Sequence, residues 1–184
     1  SGTTNMLRDV HMIELNKWTA VGWYGMILLS TDNGISWNLQ TSNTTNHLES
    51  IYYLNGNNGF AVGWYGTVLR TTNAGTTWEL QSSGTTSWLW GIDFSSSTNG
   101  LIVGSDGVIL KTTNSGEEWE FRTSGSTTGL YSIDLSDDNN AIAVGDYGFI
   151  LKTTDGGNNW TTQNSGTNKH LVGVSYIDPN NSHV

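Results

Sequence analysis

Along the chain, short runs of apolar and β-branched residues alternate with clusters of turn-forming residues, and no long helical period appears. Within residues 83-123 the runs are Leu89 to Phe94, Leu101 to Gly104, Val108 to Thr112 and Trp119 to Thr123. Between and after them lie Ser95 to Gly100, Ser105-Asp106-Gly107, Asn114-Ser115-Gly116 and Ser124-Gly125-Ser126, which form turns or tolerate left-handed backbone. Such a stretch predicts four short strands joined by tight connections.

The pattern repeats without insertion. Trp37, Trp78, Trp119 and Trp160 stand 41 residues apart, and the same step links Leu7, Leu48, Leu89, Leu130 and Leu171. A period of this length carrying four strands predicts an all-β fold, a β-propeller of four-stranded antiparallel blades, because one small sheet must cover its faces with neighbouring sheets. The expected organisation is one propeller domain or segment over 1-184, with blades 1-41, 42-82, 83-123 and 124-164 and a partial blade 165-184. The partial unit supplies a first strand and the start of a second. Ring closure is therefore expected to need strands from outside, from the remainder of a larger propeller or from self-association.

One motif recurs in phase, Ser/Thr-x-Asp/Asn-x-Gly-x-x-Trp, as Ser30-Asp32-Gly34-Trp37, Thr71-Asn73-Gly75-Trp78, Thr112-Asn114-Gly116-Trp119 and Thr153-Asp155-Gly157-Trp160. It predicts a turn between third and fourth strands in which the Asp or Asn caps amides, Gly takes the left-handed shape and Trp packs against the turn. Two of the four acidic positions are Asn73 and Asn114, so charge is not required and a structural role is expected rather than a catalytic or metal-binding one.

These residues resemble the Asp-box, or bacterial neuraminidase repeat, and the flanking Ala-Val-Gly-x-x-Gly-x-Ile/Leu-Leu-x-Thr-Thr pattern is similar to the photosystem II stability and assembly factor propellers. The resemblance implies a binding platform, seven-bladed in photosynthetic members, with relatives among large secreted bacterial proteins. On that ground a secreted or cell-surface, bacterial setting is expected. It also implies an arginine-rich partner-binding patch in the photosynthetic members, whereas this chain has only Arg8, Arg70 and Arg122. The sialidases that own the motif need three convergent arginines, which this chain does not supply. Asp-box glucan hydrolases use two carboxylates, for which Asp93 with Asp134 and Asp106 with Asp146 are candidates, and a fragment of a glycoside hydrolase is one alternative. A structural repeat of a self-assembling surface layer or filament is another. The leading expectation is a non-catalytic binding or scaffolding module.

Composition narrows the chemistry. Only 12% of residues are charged and the formal net charge is −9, so no nucleic-acid partner is expected. Without cysteine there are no disulfides or thiolate metal sites. No apolar run is long enough to span a membrane, and no basic-then-apolar leader opens the sequence. His11, His47, His170 and His183 do not form a ligand set, and Asp137-Asp138-Asn139-Asn140 reads as a turn rather than a calcium loop, so no metal or cofactor is expected.

Loops entering the first strands and turns joining second to third strands are expected at one end of the blades, opposite the Asp/Asn turns. That end collects Trp23, Tyr24, Trp64, Tyr65, Trp88, Trp90, Tyr131 and Tyr147, which vary while their framework repeats. Residues the fold does not dictate are the candidates for binding a protein or glycan ligand. Alternatively Trp23 and Trp64 cover blade edges, and Trp90 belongs to the core.

Overall fold

The computed structural model describes residues 2–178 and 181–183 and divides into two compact units, Ser1–Thr86 and Ser87–Val184. The first unit holds two antiparallel four-stranded sheets: β1 (Leu7–Glu14), β2 (Lys17–Gly22), β3 (Met26–Ser30) and β4 (Asn38–Gln40), then β5 (Leu48–Tyr53), β6 (Gly59–Gly63), β7 (Val68–Thr71) and β8 (Glu79–Gln81). The second holds β9 (Leu89–Phe94), β10 (Gly100–Gly104), β11 (Ile109–Thr112) and β12 (Glu120–Arg122), then β13 (Leu130–Leu135), β14 (Ala141–Gly145), β15 (Ile150–Thr153) and β16 (Thr161–Gln163). In every sheet the strands lie in sequence order, the meander of a propeller blade.

Second strands are buried throughout in β6, β10 and β14, each of which lies between two other strands of its sheet. Their sequences accordingly read as unbroken apolar runs, GFAVG, GLIVG and AIAVG, rather than alternating. Within the first unit, Val21 and Ile27 of the first sheet pack with Leu48, Ile51, Ala61, Leu69 and Trp78 of the second. Equivalent positions without a covering sheet stay open: Val10 on β1 is 53% exposed, whereas Ile51, one repeat later on β5, is 3% exposed.

First strands are also tied sheet to sheet by carboxylates reaching one repeat plus one residue onward. Asp9 Oδ2 accepts the amide of Ile51 at 2.9 Å and the Ser50 hydroxyl at 2.8 Å in the first unit. In the second, Asp93 Oδ2 accepts the Leu135 amide at 2.7 Å and Asp134 Oδ2 the Tyr176 amide at 2.6 Å.

After β16 the expected first strand is shorter and later than its counterparts. Leu171 to Val174 form no strand, although the Leu171 amide still reaches the Gly145 carbonyl at 2.9 Å. Pairing begins only at β17 (Ser175–Asp178), which forms a two-stranded ribbon with β18 (Asn181–His183). The ribbon keeps the register of β13 with β14, since Ser175 faces His183 as Asp134 faces Ile142 one repeat earlier, so β18 is the start of the second strand. Of the expected partial blade, residues 179-180 and 184 lie outside the described residues.

Candidate functional site

The two ends of a blade are built differently. At the Asp/Asn end each turn is closed by its own residues. The amides of Gly34, Gly75, Gly116 and Gly157 donate to the hydroxyls of Ser30, Thr71, Thr112 and Thr153 at 2.9, 2.9, 2.9 and 3.0 Å. The Oδ1 atoms of Asp32, Asn73, Asn114 and Asp155 accept the amide four residues on at 2.9, 2.9, 3.1 and 2.9 Å. An uncharged amide oxygen fills the position as well as a carboxylate. Trp37 and Trp160 add indole donations to the carbonyls of Gly34 and Gly157 at 3.0 and 3.2 Å, while Trp78 is fully buried. These side chains are occupied in holding a turn.

At the opposite end, three-residue loops join second to third strands, with the amide after the loop donating back to its first carbonyl. The glycine closing each loop lies against a connecting segment so tightly that a Cβ on Gly25 would sit 2.0 Å from the Thr44 carbonyl oxygen, and on Gly66 1.9 Å from that of Thr85. The central residue is forced left-handed: Tyr24, Tyr65, Asp106 and Tyr147 have φ of 60°, 56°, 59° and 55°. Asp adopts this region with little cost, whereas a bulky aromatic there is strained. The tyrosines are nonetheless 63%, 60% and 72% exposed, so core packing does not explain their choice.

In the first unit His47 gathers the candidates Trp23, Tyr24 and Trp64. Trp23 stacks on it at 4.8 Å, and Tyr24 and Trp64 meet it edge-on at 4.9 and 4.3 Å. The Tyr24 amide donates to His47 Nδ1 at 2.9 Å, which leaves the neutral ring's proton on Nε2. Glu49 lies beneath, accepting from Trp64 Nε1 at 2.8 Å and from Arg8 Nε at 2.6 Å. Trp23 and Trp64 are thus partly buried supports as well as candidates, and Tyr24 and Tyr65 are the outward surface.

The second unit builds its cluster around Asp146. Its Oδ1 accepts the Tyr131 hydroxyl at 2.6 Å and pairs with His170 Nδ1 at 2.8 Å. That hydrogen bond, chiefly, pushes the Tyr131 phenol up to about 12. Trp90 stacks on Tyr131 at 4.9 Å and meets Trp88 edge-on at 6.4 Å, while Tyr147 leans on His170 at 5.2 Å. Trp90 is therefore half-buried among the other candidate aromatics rather than in the core. His47 and His170 share one repeat position, yet the first accepts at Nδ1 and the second donates there, a difference set by the residue before the left-handed tip, Trp23 in one case and Asp146 in the other.

The hydrolase candidates are otherwise engaged. Asp93 and Asp134 accept strand amides, and burial, with the neighbouring Asp134 adding, pushes the Asp93 carboxyl up to about 7. Asp106 accepts the hydroxyls of Ser87 and Ser105 at 3.1 and 3.0 Å. Asp137 Oδ1 closes its own turn on the amides of Asn139 and Asn140, both at 2.8 Å. Among the described residues no group of three or more His, Asp or Glu is placed to hold a metal ion, and no helix is long and apolar enough to cross a membrane.

Residues 71–176 match the family described as photosynthesis system II assembly factor YCF48. The chain belongs to this family. Among solved structures it is similar to YCF48 from Cyanidioschyzon merolae, with 21% identity and a TM-score of 0.74 over 96% of this chain and 62% of that one. It is similar also to YCF48 bound to D1 peptide, with 20% identity and a TM-score of 0.76 over 94% and 58%. An ancestral GH74 enzyme matches at 20% identity and TM-score 0.72, over 85% of this chain and 24% of that one. No curated protein is significantly similar in sequence. The likeness establishes the β-propeller fold, and the chain spans about three fifths of the YCF48 structures it matches.

Family membership corrects one expectation. The protein was expected to be secreted or at a bacterial cell surface, but its family is that of a photosystem II assembly factor, which is not secreted to the cell surface. The physical reason for the error is that missing cysteines, low charge and aromatic loops suit a propeller in either setting, and the blade pattern encodes no destination.

Proposed function

We propose that the chain is a non-catalytic, polypeptide-binding propeller of the assembly-factor type, which takes its partner on the aromatic turn ends of its blades. The observation that carries this reading is the placement of Tyr24, Tyr65 and Tyr147, exposed and left-handed, where Asp106 shows that a small polar residue serves the fold. Strained residues held by a rigid frame mark contact sites. Tyr, Trp, Ser, Thr and Asn around the tips supply adaptable, uncharged contacts of the kind loops use to recognise proteins. One member of the family has been solved with a D1 peptide, which supports a polypeptide partner here.

The test is titration of the D1 peptide into the whole chain, followed by tryptophan fluorescence. Saturable binding that weakens about tenfold when Tyr24→Ala, Tyr65→Ala and Tyr147→Ala are combined is the expected result. Absence of binding, or binding indifferent to the three changes, overturns the reading.

A further inference from the structure

In the first unit two grooves recur at the 41-residue step. One, of 760 Å³, is walled by Tyr24 and Leu39, with Gly25 and residues 41–45 as its floor. The other, of 640 Å³, is walled by Tyr65 and Leu80, with Gly66 and residues 82–86 as its floor. The same pair of walls therefore appears twice, an exposed tyrosine from a turn tip facing an exposed leucine from an outer strand.

Neither wall is demanded by the blade. Leu39 and Leu80 are 69% and 70% exposed at the centres of β4 and β8, and the fourth copy holds this position with Thr162. The tyrosines carry the left-handed strain already described. Large apolar side chains left open where the fold accepts polar ones signal a surface meant to be covered.

The floor is held by its own hydrogen bonds. Ser42 Oγ donates to the Thr44 carbonyl at 3.1 Å and Ser83 Oγ to that of Thr85 at 3.2 Å, and each connecting loop is pressed onto its turn glycine. Pre-formed grooves lose little entropy on binding. Their linings contain no Asp, Glu, Lys or Arg, although the whole chain has a formal charge of −9. A charged segment would be desolvated here without a counter-charge, and an uncharged one would not suffer that cost.

We infer that these two grooves dock an uncharged stretch of a partner polypeptide, which seats an apolar side chain between each tyrosine and leucine. The inference rests on the polypeptide-binding reading and adds to it a location and a chemistry. Leucine offers a sugar neither a hydrogen bond nor a flat face, and no carboxylate or guanidinium lines the grooves to fix sugar hydroxyls. An aliphatic or aromatic side chain gains from both walls, and the Ser, Thr, Asn and Gln lining meets the main chain of the segment that carries it.

The experiment is selection of a random linear peptide library on the whole chain, with each selected peptide then measured against Leu39→Glu combined with Leu80→Glu. Both leucines are exposed, so the variant is expected to fold, and an unchanged thermal melt verifies this. The expected peptides are apolar and uncharged, bind about tenfold more weakly to the variant, and change affinity less than about twofold between low and high salt. Peptides that bind chain and variant equally place the polypeptide site elsewhere and overturn the inference alone. Selected peptides that are strongly charged and salt-sensitive overturn it too. If no peptide is enriched while a glycan array gives binding, both the inference and the polypeptide reading fall.

Discussion

The two ends of each blade use the same economy of short turns to opposite purposes. At the Asp/Asn end, four loops of the same pattern close by hydrogen bonds within their own residues, and the tryptophan that follows packs into or against the sheet. At the other end the loop backbones are equally alike, with left-handed centres and buried glycines, but the side chains differ and reach residues 15 to 24 positions away. Repetition with self-contained bonding marks what the fold requires. Variation on an unvarying backbone marks what the fold does not dictate.

The comparison breaks most visibly if the structural end proves dispensable. Trp78→Ala should cost about 3–5 kcal/mol in urea unfolding, because it empties a fully buried site between sheets. A loss near zero would mean that the Asp/Asn turn does not hold its blade. Between the ends, Asp93 should make stability depend on pH. Its carboxyl is raised from 3.8 to about 7, so the folded chain keeps the proton that the unfolded chain has released. The stabilisation is full below about pH 4 and is lost as pH rises through about 7. Asp93→Asn should flatten that window in melts across pH 4 to 8, and an unchanged slope would assign the dependence to another group.

The aromatic end should answer with smaller and opposite effects. Tyr65→Asn relieves a left-handed aromatic and should raise stability by about 0.5–1 kcal/mol while weakening peptide binding. A marked loss of stability would show that the tyrosine serves the fold after all. The smallest effect is expected at the structural end in acid. Hydrogen bonds from Asn159, chiefly, hold Asp155 down at about 2, so its contribution is present above about pH 4 and fades as pH falls through about 2. Asp155→Asn should remove that part of the acid sensitivity with little change at neutral pH, since Asn73 and Asn114 already fill the same position.

The blades were legible because their causes are local. Turn chemistry, strand length and the apolar runs of the second strands lie within a few residues of one another, and a 41-residue period states them four times. The aromatic tips were legible as candidates for the same reason, since their variation shows against a constant frame. Less visible were His47, Glu49, Leu39 and Leu80. Nothing near His47 announces that Trp23, Tyr24 and Trp64 will meet on it, and Leu39 reads like any strand apolar until its exposure is known. A faint signal existed in His47 and His170 sharing a repeat position.

The sequence by itself thus determined the all-β blade, its turns and the residues that vary at one end, because hydrogen bonding within a turn and the alternation of a strand depend only on neighbours in the chain. Only the tertiary structure decided how those residues are used. It set Asp93 and Asp134 to accept strand amides one repeat onward, gave two histidines at one repeat position opposite hydrogen-bonding roles, and set tyrosine against leucine across a groove. Each of these depends on distance through space between groups far apart in sequence, and such distances exist only once the sheets have packed.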